Sequence, residues 1–200
     1  MSMKKLLLLA VIIMTALSCS QPKKLDTKLI ASKYKKGIVK ILMFDSKRDK
    51  VKKGAGYLTR GSGFFVTQDG YIFTNRHVIE SSVKGYIDYD YRDKNGKKKS
   101  NLVSYSDNIY KDKNFIKAFF TGYTQPIIQV FNSDNETDYK LYKAEVVSMS
   151  TGVIDGALLK IISDIDDKPV TTKFTAIPIG DSDKVMQGES LCVYGFPAQI

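Results

Sequence analysis

GSGFFVTQDGYIFTNRHVI, residues 61–79, decides the reading of this chain. Asp69-Gly70 is a strong hairpin signal, because glycine enters the positive-φ region that a tight turn needs. The β-branched and aromatic residues on either side, FFVT and YIFT, predict two short strands joined by that turn. At the far end of the strand-like run stands His77, the only histidine among 200 residues. If catalysis at neutral pH runs through an imidazole, His77 is the single candidate for the base.

Working outward, GIVKILMF (37–44) reads as a first strand, and SKRDKVKKGAGYLTR (46–60) as a charged turn or flap. Residues 127–150, IIQVFNSDNETDYKLYKAEVVSMS, repeat the hairpin pattern: an apolar strand, a turn rich in Asn and Asp, then a partly alternating strand. GALLKI (156–161) and SLCVYGF (190–196) add two more strands. Short strands with polar turns, and no long amphipathic run of helical period, predict an all-β barrel or sandwich. The sequence carries no internal repeat and no linker between domains of ordinary size. Strands from about Gly37 to Lys160 are expected to close into a six-stranded antiparallel barrel. Its core and near-core packing should include Phe65, Val66, Ile72, Val78, Val146, Leu158 and Ile161. Residues 84–124 are a separate matter: their tyrosines, phenylalanines and mixed charges are dense enough to fold, and a structureless loop of that size is unusual in a compact domain. They predict an extended hairpin plus a short helix near Asn114–Phe120, either a lid or docking arm beside a cleft or a decoration packed on the barrel.

The N-terminus is of another kind. MSMKK supplies two lysines, and LLLLAVIIMTAL (6–17) is too short to cross a bilayer as a stable helix, which takes about 20 apolar residues. Residues 1–18 therefore predict an export signal that is removed. ALSC (16–19) resembles a bacterial lipoprotein signal, with Ala16 where leucine is commonest, and implies cleavage before Cys19 and lipid on its new N-terminus. Ordinary secretion and a retained anchor are the competing readings. Stable attachment needs more than one acyl chain. Residues 19–34 then serve as a polar, lysine-rich tether.

Export of residues 1–18 leaves 182 residues, and the formal charge falls from +10 to +8. The lysines are scattered among aspartates without an Arg-rich stripe, which predicts a solvated face and no nucleic-acid partner. With Cys19 assigned to lipid, Cys192 remains alone, so no intrachain disulfide is expected. Its setting in LCVYGF predicts a buried thiol. One histidine and two distant cysteines make a metal site improbable, and no cofactor motif is present.

TNRHVI preceded by GSGFFVTQDGYIF resembles the histidine segment of the HtrA/Deg-like branch of trypsin-fold serine proteases. YKAEVVSMSTGVIDGALLKI (142–161) resembles that family's aspartate segment, although Gly156 follows the aspartate where leucine is usual. AIPIGDSDKVMQGESLCVYGFP (176–197) resembles the stretch crossing from the first barrel to the second. The resemblance implies an all-β chymotrypsin/trypsin-like fold, with a first barrel over 35–175, an insertion at about 84–124, and a crossover and first strand of a second barrel over 176–200. It also implies catalytic roles for His77 as general base and Asp155 as the carboxylate that orients it. Asp88 and Asp90 in YIDYDYR are rival acids, but no apolar strand directly follows them.

Ser62, flanked by glycines, has the outward look of a nucleophile, yet it opens a strand only 15 residues before His77. Ser182 and Ser190 lack the glycine surroundings from which backbone N–H groups stabilise an oxyanion. In the family the nucleophile lies in a G-N-S-G-G-like segment of the second barrel, which has no counterpart within these residues. The expected activity is serine-type endopeptidase action on unfolded or exposed polypeptide, by a protein lipid-anchored to the bacterial cell envelope, at its periplasmic face or the cell surface. A homo-oligomer is left open. The alternative is a catalytically inactive, protease-like binding lipoprotein. The 200 residues alone are expected to be inert, because base and acid lack the attacking atom.

Overall fold

The computed structural model describes residues 25–45 and 57–196. The expected signal, Cys19 with residues 20–24 of the tether, and residues 46–56 of the charged turn lie outside these; residues 57–60, expected as the end of that turn, are strand instead. Nine strands are formed: β1 (Ile38–Phe44), β2 (Tyr57–Phe65), β3 (Tyr71–Thr74), β4 (Tyr86–Arg92), β5 (Lys98–Ser104), β6 (Phe115–Gly122), β7 (Gln125–Phe131), β8 (Tyr139–Met149) and β9 (Ala157–Asp164) among the described residues. Six of them, all antiparallel, make a closed barrel in the order β1-β2-β3-β9-β8-β7. Closure comes from β1, which pairs with β2 on one side and β7 on the other, so no edge is left unpaired. The fold is all-β of the chymotrypsin/trypsin type, with one closed six-stranded barrel and a second, open sheet.

Alternation sets the interior. Val39, Ile41 and Met43 of β1 point inward with Phe65, Ile72, Ile128, Ala144, Leu159 and Ile161, all at most 5% exposed. Each of the larger aliphatic or aromatic side chains contributes about 1.5–3 kcal/mol by leaving water. Of the expected core, Phe65, Ile72, Val78 and Ile161 are buried, Val146 packs partly against them, and Val66 and Leu158 are half-buried. One end is closed by the segment after β9. Phe174 stacks on Phe65 at 4.3 Å and meets Tyr142 edge-on at 5.5 Å. Backbone bonds from Phe174 to Gln68 (2.9 Å) and Ile177 to Phe65 (2.8 Å) hold it there.

Two short helices depart from the expected reading. Thr27–Tyr34, placed in the tether, is helix α1, whose first turn is capped by the Asp26 carboxylate accepting from Leu29 N–H at 3.0 Å. Arg76–Val83 is helix α2, so His77 sits in a first helical turn rather than at a strand end. Val78 and Ile79 of α2 pack on the barrel, and Gly61 makes this approach possible: a Cβ there would lie 2.5 Å from a Val78 methyl.

The insertion is a three-stranded antiparallel sheet in the order β5-β4-β6. Only Asp107–Lys111 is helical, a short 3-10 segment, and the helix expected near Asn114–Phe120 is strand β6 instead. β4 pairs with β6 along its length, with register shifts at Tyr86/Ile87 and Asp90/Tyr91, and aromatic residues favour that pleated surface. The insertion is fastened at its neck. Ser81 and Thr124 hydroxyls meet at 2.7 Å in a buried contact, Ser82 donates to the Thr124 carbonyl at 2.7 Å, and Thr124 N–H donates to the Ser81 carbonyl at 3.1 Å.

Ser190–Phe196, expected as a strand, pairs with no sheet among the described residues. Cys192 is accordingly exposed rather than buried, because alternation buries a residue only where a second layer covers it. No helix among the described residues is long and apolar enough to cross a membrane.

Candidate active site

α2 begins where β3 ends, and the turn after β8 brings residues 150–156 beside it. The helix N-terminus offers unsatisfied N–H groups and a partial positive charge. Asn75 occupies the cap position, yet its side chain makes no capping bond. The cap is supplied from 78 residues away: Asp155 Oδ1 accepts from His77 N–H at 3.0 Å. The other carboxylate oxygen, Oδ2, lies 2.6 Å from His77 Nδ1. Asp155 thus holds both the backbone and the ring of one residue, which fixes where the imidazole stands and how it is turned.

The electrostatics follow from these contacts. The His77 ring, then the His77 backbone N–H, favour the charged carboxylate and hold the Asp155 carboxyl below the usual range, with Arg76 adding a smaller pull. An ionised carboxylate only accepts, so Nδ1 carries a proton, and in the neutral ring Nε2 is then the acceptor nitrogen. A base with its lone pair on Nε2 can take a proton from an alcohol; a ring held the other way round cannot. The pair is at the barrel rim, with the His77 side chain 67% and the Asp155 side chain 38% exposed. The carboxylate is therefore not buried, since the turn that carries it stands in solvent.

Asn75 belongs to the TNRHVI segment and Arg76 fills the position between it and His77; the sequence alone assigns neither a role, yet both serve this arrangement. Asn75 Nδ2 donates to the Asp155 carbonyl at 3.1 Å and to Oδ2 at 3.3 Å, while Arg76 Nη1 donates to the Gly152 carbonyl at 2.8 Å. The signal for Asn75 is its place in TNRHVI; for Arg76 it is the position beside His77, where side chains on a first helical turn meet whatever faces the helix end. The rival acids are elsewhere. Asp88 and Asp90 lie in β4 of the insertion, where Lys98 binds Asp90 at 2.8 Å.

Ser62 is occupied by the chain's own backbone: its Oγ accepts from Phe196 N–H at 2.7 Å and lies 3.2 Å from the Phe196 carbonyl. Among the described residues, no three His, Cys, Asp or Glu side chains come together as a metal-binding group. Two cavities, of about 490 and 600 Å³, are lined by Lys35, Phe131 and Phe196 and by Lys84, Tyr105 and Lys111 respectively, and neither includes His77 or Asp155.

Among solved structures, the chain is similar to the crystal structure of Deg5, at 16% identity and a TM-score of 0.46, over 80% of this chain and 51% of that one. It thus spans about half the length of that structure. No curated protein matches it. A family profile matches residues 61–200, a span that includes both His77 and Asp155, and the chain belongs to the trypsin-like peptidase domain family.

Proposed function

We propose that this chain carries the general base, His77, and the orienting carboxylate, Asp155, of a serine-type endopeptidase that cuts unfolded or exposed polypeptide. The observation that carries the reading is the 2.6 Å contact between His77 Nδ1 and Asp155 Oδ2, joined to the Asp155 cap on the His77 amide. In this reaction Nε2 of His77 takes the proton of a serine hydroxyl as its oxygen attacks the amide carbonyl, and returns it to the leaving amine. Positioned proton transfer of this kind contributes about 10²–10⁴-fold. Asp155 keeps Nδ1 protonated and stabilises the imidazolium. The attacking serine and the oxyanion donors are supplied from outside residues 1–200. Cys19 carries lipid, and the enzyme works at the cell envelope.

The test is a fluorophosphonate probe applied to the natural gene product isolated from cells, with the labelled peptide identified by mass spectrometry. The expected label is on one serine outside residues 1–200, and His77→Ala abolishes it. Label that survives His77→Ala defeats the assignment of the base; label on a serine within 1–200 defeats the placement of the nucleophile. The same product is expected to begin at an acylated Cys19, and an intact Met1 with a free Cys19 thiol removes the anchor.

A further inference from the structure

The turn that carries Asp155 has almost no packing of its own. Thr151, Gly152, Val153 and Ile154 are all exposed, and Val153 makes no apolar contact that shields it from water. Such a segment samples many conformations unless polar ties restrict it. Ser150 N–H closes its base onto the Gly156 carbonyl at 2.9 Å, and the Ser150 hydroxyl binds the Ile154 carbonyl. These bonds shape the turn without fixing it to the barrel. Among the described residues, the side-chain ties that cross to another element all involve Asn75, Arg76 or His77.

Arg76 is the one that reaches the tip. Its Nη1 donates to the Gly152 carbonyl at 2.8 Å, while its Nε is buried, makes no hydrogen bond among the described residues and lies at ion-pair distance, 3.7 Å, from Glu80 Oε1. Glu80 is in turn held by Lys84 at 3.0 Å. The guanidinium thus lies within ion-pair range of Glu80 on one side and donates to the turn on the other, a span that its planar fork covers and a compact ammonium does not. Because Arg76 directly precedes His77, any drift of the turn is resisted at the helix that carries the imidazole.

We propose that Arg76 is a positioning residue: it clamps the Gly152 carbonyl so that the 150–156 turn delivers Asp155 to His77. The proposal rests on the reading of His77 and Asp155 as base and orienting carboxylate. Its test exploits the single histidine. ¹⁵N chemical shifts of the imidazole in the full chain report which ring nitrogen carries the proton, without any substrate or nucleophile. Wild type is expected to be mainly Nδ1–H and Asp155→Asn to revert mainly to Nε2–H. Arg76→Gln and Arg76→Lys are both expected to lower the Nδ1–H fraction at least twofold. If Arg76→Lys retains the wild-type tautomer, charge alone suffices and the clamp is refuted; it is equally refuted if both variants retain it. Arg76→Lys keeps the aliphatic stem on α2, so it decides the matter should Arg76→Gln fail to fold. A wild-type chain that already prefers Nε2–H sinks the base–acid pair and the clamp together, whereas an Nδ1–H chain indifferent to Arg76 sinks the clamp alone.

Discussion

Replacing Gly61 with alanine places a methyl group 2.5 and 2.6 Å from the two Cγ atoms of Val78, about an ångström inside an ordinary contact. Neither side yields easily. Gly61 is paired with Ile41 in the barrel wall, and Val78 is β-branched on a helix, where one rotamer dominates. Relief must come from a shift of α2, and overpacking of this kind costs about 1–3 kcal/mol. Val78→Ala alone empties a site that is 5% exposed; losing two methyls and leaving a cavity costs about 2 kcal/mol. In the double variant the new methyl enters the vacated space, so the combined loss should be smaller than the sum by about 1–2 kcal/mol. Urea unfolding followed by far-UV circular dichroism measures all four corners of the cycle, since the chain has no tryptophan to follow. A coupling within about 0.5 kcal/mol of zero would refute the argument, because the two positions would then not compete for one volume.

Two other outcomes can be checked directly. The Asp112 carboxylate accepts from the Tyr89 hydroxyl and pushes that phenol up to about 12, so ¹³Cζ NMR should show one tyrosine titrating above the others and returning toward them in Asp112→Asn. The folded state then holds this proton more tightly than the unfolded chain, so the bond stabilises fully below about pH 10, the ordinary tyrosine value, and its contribution fades as pH rises toward 12; a Tyr89 that titrates with the exposed tyrosines counts against it. Ser62→Ala should cost about 0.5–1.5 kcal/mol and release the Phe196 amide to fast hydrogen exchange, and an amide as protected as in wild type would show that the hydroxyl is not its partner.

The barrel is legible in the sequence because its strands alternate and its turns carry recognisable chemistry: Gly70, at φ +100°, is the positive-φ residue that Asp69-Gly70 announces. Parity is harder. Leu158 and Ile161 cannot both face the core in one regular strand, and since Ile161 is inside, Leu159 joins it while Leu158 is half-buried. The two helices are hidden for a different reason. Eight residues give little more than two turns of periodicity, and α2 takes its cap from Asp155, a partner that no local pattern reveals. FIKAFF, residues 115–120, has apolar spacing compatible with helix or strand, and only the ladder offered by β4 decides between them. His77 and Asp155 are named by their motifs, and Asn75 lies in the same segment as His77; the contacts of Asn75 with Asp155 and of Arg76 with Gly152 emerge only in three dimensions.

The neck of the insertion has a kinetic consequence. Barrel closure must bring Ile41 against Ile128, with the whole insertion strung between them. The insertion's own strands are neighbours in sequence, so they can pair early, before the ends of the barrel meet. Once they have, Ser81 and Thr124, 43 residues apart along the chain, are one hydroxyl contact apart in space. The loop still to be closed is then roughly half as long, which saves about 0.6 kcal/mol of closure entropy and speeds closure about threefold.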